Sequence, residues 1–239
     1  MRIRLPLGRS LFFLCFLLFA LVALFPLRIA LGWLALDDRG LAAREASGSI
    51  WFGQLSEAQF GSIPLGDVQA ELRFLPLLLG RARVDLERPD KAEPFEAGFS
   101  VSRHGFGVDD LTGRLNIGAA LAPLPIASLD ASDVSVHFAN GLCASAEGVV
   151  KAGIAADVAG MPLPGGLSGN ARCQETALLL PLVSQTGMEA LNLRLFGDGR
   201  YEVELAVKPL DDGTRDRLIA AGFSIGANGS YAIGTTGKF

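Results

Sequence analysis

A mainly β protein behind one N-terminal membrane helix is the architecture the sequence predicts, and three observations predict it. Leu11 to Leu27 is an uncharged apolar run. From about residue 40 onward, apolar side chains recur at every second position. The 29 glycines fall between those apolar stretches, where they mark turns rather than disorder.

The helix comes first in the chain. Leu11 to Leu27 holds a single breaker, Pro26. At about 1.5 Å per residue the run spans roughly 25 Å, against a hydrocarbon core of about 30 Å. Extension back toward Leu7, with Arg9 and Arg28 reaching for the two interfaces, closes the gap. Arg2, Arg4 and Arg9 precede the run with no acid among them, whereas Arg28, Asp37, Asp38 and Arg39 follow it. That bias puts the N-terminus in the cytoplasm and the rest of the chain outside it. A cleaved signal peptide is the competing reading, but Ala20 and Ala23 lack the spacing of a cleavage site, which favours a retained anchor. The stretch Arg28 to Leu36 carries Trp33, an interface-seeking residue, and continues the helix or lies along the membrane surface. The expected division is therefore a cytoplasmic N-terminus at 1–10, a transmembrane anchor with a membrane-proximal helix at 11–36, and one outer β-rich domain at 37–239.

The body alternates. Val68, Ala70, Leu72 and Phe74 interleave with Gln69, Glu71 and Arg73, and Ala82, Val84 and Leu86 with Arg83 and Asp85. The same pattern runs through Phe95 to Val101, Leu111 to Ile117, Val134 to Phe138, Leu191 to Leu195 and Tyr201 to Leu205. Each is a half-buried strand with one apolar face, and antiparallel pairing through short turns is the natural arrangement. Gly197-Asp198-Gly199 supplies one tight turn, and Asn228-Gly229 opens a last strand through Tyr231 and Ile233. Helix signals are few: Asp211 to Ala221 with Gly222 as a stop, and a weaker Thr176 to Ser184 interrupted by Pro181. The apolar face has to be covered, either by folding over as a sandwich or by curling into a groove; periodicity does not choose between them.

Composition narrows the function. A net charge of -4 with no Lys/Arg cluster gives no electrostatic basis for nucleic-acid binding. Mean hydropathy is +0.37, much of it contributed by the N-terminus. The two histidines, His104 and His137, have no grouping of Cys, His or carboxylates of the kind a zinc site needs. There is no phosphate-binding glycine loop and no nucleophile elbow, so neither a cofactor nor a catalytic residue is expected. Asp109-Asp110 and Asp211-Asp212 read as turn or cap residues. Cys15 lies in the anchor and reads as a small apolar residue. Cys143 and Cys173 both fall in the outer domain; an oxidising compartment favours a disulfide between them, and two reduced buried thiols is the other reading.

Three segments, in order, carry a resemblance: Ser47-Gly48-Ser49-Ile50-Trp51-Phe52-Gly53 after the arginine-flanked anchor, then Cys143 with Ser145-Ala146-Glu147-Gly148, then Gly169-Asn170-Ala171-Arg172-Cys173. The chain resembles the type II secretion system protein N family over almost its whole length. The resemblance implies an accessory inner-membrane component, facing the periplasm, of the machine that exports folded proteins across the outer membrane. It implies other secretion subunits as partners, and neither cofactor nor catalysis. Within it, Trp51 and Gly53 are candidate partner contacts; a buried aromatic beside a glycine turn or bulge is the plainer reading of the same residues. A function of another class stays open beside this one: a periplasmic lipid-binding or lipid-transfer β-groove of AsmA-like type. It predicts an unfilled apolar channel lined by small residues such as Ala97, Gly113 and Ala206.

Overall fold

The computed structural model describes residues 7–33, 40–90, 93–122, 124–154 and 166–238. It opens with helices α1 (Leu7–Ala23) and α2 (Leu27–Trp33). Short strands β1 (Leu41–Ala42) and β2 (Glu45–Gly48) follow, then β3 (Gly53–Phe60), β4 (Ile63–Leu72) and a short helix α3 (Phe74–Leu78). Next come β5 (Ala82–Arg88), β6 (Phe95–Val101), β7 (Gly105–Asn116), β8 (Ile126–Ala139) and β9 (Leu142–Ile154). The C-terminal part comprises β10 (Leu167–Asn170), β11 (Arg172–Gln174), β12 (Ala177–Val183), β13 (Glu189–Phe196), β14 (Arg200–Val207), α4 (Asp212–Ala220), β15 (Ser224–Ile225) and β16 (Tyr231–Lys238).

From β3 to β14 this is one antiparallel meander in which chain neighbours are mostly sheet neighbours; at its end β14 pairs with β16. The predicted strands are where alternation put them, except that Phe74 leaves its strand and that Phe99 and Val101, expected on the buried face of β6, are 38% and 57% exposed. The strands form a single sheet that does not close on itself; it curls. Two devices curl it. Bulges in β7 and β8 put Asp110 and Asp133 at φ of 55° and 50°. Beside them, Gly148 in β9 sits at φ 105°, and the next strand is broken between β10 and β11 at Ala171. The four irregularities form one crease across neighbouring strands. Their displaced amides are not orphaned: Asp110 N donates to Ser135 Oγ (3.0 Å), Asp133 N to Thr112 Oγ1 (3.1 Å) and Ala171 N to the Gly148 carbonyl (3.0 Å).

Curling brings distant strands together around two cores. The larger is built from β7 to β14 and includes Ile126, Leu167, Leu182, Leu191 and Leu205, all 0–1% exposed. The connection after β7 plugs its mouth with Leu121 and Leu124, and α4 covers it with Leu218. The Tyr201 hydroxyl donates to the Ala120 carbonyl (2.9 Å), fastening β14 to that plug across 81 residues of chain. The smaller core gathers Leu27, Leu55, Leu65, Val68, Phe95 and Ala97.

Several expectations need correction. The apolar run Leu11 to Leu27 is not helical to its end: α1 stops at Ala23 and α2 starts at Leu27, because Pro26 supplies no amide and biases Phe25 away from the helical region. Among the described residues no helix is long and apolar enough to cross a membrane. Residues 34–36, the end of the expected membrane-proximal segment, lie outside the described residues, as do 1–6. Thr176 to Ser184 is not helical but the strand β12, buried along most of its length, so its apolar run had no polar face to reveal a period. Pro181 is tolerated there because its missing donor faces the weakened β10 side, where only Ser168 pairs with β12. Phe74 leaves the alternation to start α3. Asp109 and Asp110 sit within β7 rather than in a turn, whereas Asp211 does cap α4, accepting from Thr214 N at 2.7 Å.

Candidate functional site at the joint between helix and sheet

The segment Ser49 to Gly53 docks the first helix onto the sheet. The last carbonyls of any α-helix lack internal partners. Here the Trp51 indole Nε1 donates to the Val22 carbonyl at 2.9 Å, capping α1 from 29 residues away. Just beyond, Ile50 N donates to the Phe25 carbonyl (3.0 Å), and Pro26 bridges antiparallel to Ser49. Leu27 then enters the smaller core, 8% exposed. It lies directly over Gly53: a Cβ there would approach Leu27 Cδ2 to 2.4 Å and the Ser49 carbonyl to 3.1 Å. Any side chain there would have to displace the buried Leu27 side chain and press on the Ser49 carbonyl. Trp51 and Gly53, singled out as partner contacts, are thus brought together by the fold, and what they touch is the chain's own N-terminal helix.

Gly53→Val overpacks this joint. Such changes cost about 1–3 kcal/mol, and the cost falls on Leu27 rather than on the meander. Limited proteolysis should therefore cut between residues 24 and 33 faster in the variant, while the thermal transition of the sheet stays near that of the parent. Equal cleavage rates would show that Gly53 does not hold the joint.

The joint continues into a further element. The Ile50 carbonyl accepts from Leu72 N (3.1 Å), and the Trp51 ring meets Phe74 edge-on with centroids 5.9 Å apart. That places α3 beside the end of α1. Sequence reasoning missed α3; the signal was Phe74-Leu-Pro-Leu-Leu-Leu-Gly80, whose last residue adopts φ 74° and stops the helix.

A polar row crosses the outer face of the sheet nearby. Arg73 and Arg83 both bond Asp85, Arg83 also meets Asp109 (3.4 Å), and Asp109 bonds His137 Nε2 (2.9 Å). Burial pushes the Asp85 carboxyl up, but hydrogen bonds from Arg83 and Arg73 and their charges outweigh it and hold Asp85 below the usual carboxylate range. Two glycines make the row possible: the Arg83 guanidinium lies flat on Gly98 and the His137 ring on Gly107. His137 Nδ1 also meets Ser145 Oγ at 3.4 Å, which gives an Asp–His–Ser sequence of contacts. Ser145 lies mid-strand directly opposite His137, half out in solvent, on a flat face without the strained elbow that presents a nucleophile. The row is a cross-strand ladder that pins β5, β7 and β8 in register. His104, in the turn before β7, contributes its carbonyl to Asn140 N (2.7 Å). No group of three or more His, Cys, Asp or Glu side chains able to hold a metal ion occurs among the described residues.

At the far side of the meander Cys143 and Cys173 are joined as a disulfide with Cα atoms 5.5 Å apart. Most of the turn-rich segment expected inside that loop, residues 161–165, lies outside the described residues.

These features define a class: a long antiparallel meander, creased by bulges, into which a short apolar N-terminal helix is locked by a tryptophan cap and a glycine seat. The chain belongs to the type II secretion system protein N family, whose model matches residues 39–234. It is similar to the type II secretion system protein N of Vibrio cholerae serotype O1, with 27% identity over 224 residues covering 84% of this chain and 85% of that protein. No solved structure matches it.

Proposed function

We propose that this protein is an accessory component of the type II secretion system, held in the inner membrane by α1 with its N-terminus in the cytoplasm and its sheet in the periplasm. Its role is to support export of folded proteins by contact with other subunits of the machine. The observation that carries the reading is the family match across nearly the whole sheet. Support for the anchor comes from α1 itself: its large side chains from Leu11 to Val22 are 53–70% exposed, an arrangement with no stability in water. Arg2, Arg4 and Arg9 precede the apolar run in the sequence with no acid among them, the charge bias that favours a cytoplasmic N-terminus. A disulfide in the sheet agrees with an oxidising compartment.

Lipid transfer is the weaker reading because the inner side of the sheet is filled. Ala97 is 4% exposed within the smaller core, and a Cβ on Gly113 would come within 2.7 Å of the Pro94 carbonyl. Ala97 and Gly113 reflect close packing rather than space for acyl chains, and Ala206 is part-exposed on the face of β14 opposite the buried Leu205. Nor does the polar row offer the aligned donors that stabilise charge developing on a substrate.

Crosslinking of the native protein in its own membrane, followed by mass spectrometry of the adducts and of co-purified lipid, tests this. Covalent adducts with other secretion subunits, without stoichiometric lipid, are expected. Stoichiometric phospholipid or lipopolysaccharide and no secretion subunit would reverse the choice.

A further inference from the structure

Helix α3 is made of Phe74, Leu75, Pro76, Leu77 and Leu78, and none of them is buried. Leu75, Leu78 and the following Leu79 are 74%, 69% and 81% exposed. A short helix that is apolar on every side has no reason to persist in water. Its place in the fold says what covers it. The Trp51 ring meets Phe74 edge-on, and its indole donor bonds the end of α1. Only Leu24 to Pro26 separate the end of α1 from Leu27, which is already inside the sheet's core. No free linker stands between helix and sheet. At about 25 Å, α1 is no longer than the roughly 30 Å hydrocarbon core, so a bilayer around α1 has its outer surface close to the joint at the helix's C-terminal end. Phe52, 73% exposed, follows Trp51 directly, and Trp33, 80% exposed, meets the Phe25 ring beyond the end of α1 (centroids 5.7 Å). Arg81, exposed just after α3, suits the phosphate level of an interface.

We propose that α3, with Phe52, forms a second membrane contact, seated in the headgroup–acyl boundary of the bilayer that holds α1, so that the sheet stands on the membrane at a fixed angle instead of swinging from a tether. This placement depends on α1 being the membrane anchor.

The test uses the full chain, with Cys15→Ser to leave only the disulfide pair, reconstituted in phosphatidylethanolamine–phosphatidylglycerol vesicles. A nitroxide is placed by Leu78→Cys on α3, by Leu17→Cys on α1, or by Leu210→Cys in the exposed connection after β14. Collision with oxygen, which concentrates in the bilayer, is compared with collision with a water-soluble nickel chelate. The expected result is loss of chelate access and gain of oxygen access at positions 17 and 78, with the reverse at 210. Chelate access at 78 equal to that at 210, while 17 stays immersed, would overturn the second contact and leave the anchor standing. Chelate access at 17 would overturn both. Shielding of 78 from oxygen and chelate alike would mean that a second copy of the chain covers α3, and would also overturn the proposal.

Discussion

Leu182→Ala should destabilise the sheet domain by about 2–5 kcal/mol, the range for a leucine removed from a core that cannot collapse around the gap. Leu182 is 0% exposed in β12, directly opposite Leu191 in β13, and packs in the larger core with Leu167 and Leu205. The crease and the plug at Leu121 and Leu124 hold this core from several sides, so relaxation into the cavity is limited. Domains of this kind have only about 5–15 kcal/mol of net stability, so the loss takes a large part of it. Val183, the next residue, points the other way and is 49% exposed. Val183→Ala should change stability by no more than about 0.5 kcal/mol. Thermal melts of both variants in the same detergent measure the pair. Similar losses in the two, or a loss under about 1 kcal/mol for Leu182→Ala, would contradict a filled inner side.

That contrast also shows what was legible beforehand. Where a strand has one wet face, as at Val134 to Phe138 or Val203 to Leu205, alternation located it and chose its buried side. Where both faces are covered, as at Leu178 to Leu180, the polar markers vanish and strand could not be told from helix. The crease was out of reach for a different reason. Asp110 and Asp133 adopt left-handed backbone because hydroxyls on neighbouring strands receive their amides, and those neighbours are set by register, which no local pattern encodes. The choice between sandwich and groove fell to the same register: a single sheet curls over a packed interior. The candidate site divided similarly. Trp51 and Gly53 stood out as an aromatic beside a glycine; that they seat the chain's own helix was not readable, because Val22 and Leu27 meet them only after β2 and β3 have paired. The polar row was invisible for want of any sequence sign that Gly98 and Gly107 clear the space for Arg83 and His137.

Cys143→Ser/Cys173→Ser should cost about 3–4 kcal/mol on the chain-entropy account of a bridge closing a separation of 30 residues. The local structure explains why a bridge is needed there. The strand after β9 is interrupted at Ala171, and beyond the break β11 has only three residues, paired with β12 on one side. Toward β9 the hydrogen bonds at this end are Ala171 N to Gly148 and Cys143 N to the Thr176 carbonyl. The disulfide stands in for the ladder that the crease removes. Hydrogen exchange in the serine pair should therefore rise first at Arg172 to Gln174 and at the start of β9, ahead of β13 and β14. Denaturant titration of parent and variant gives the size of the effect, and coincident midpoints would refute it. Thiol counting on the denatured, unreduced parent is the companion measurement. One reactive cysteine, Cys15, means that the bridge forms in the cell, whereas three would mean that the sheet matures in a reducing compartment, and would take the periplasmic placement down with the disulfide.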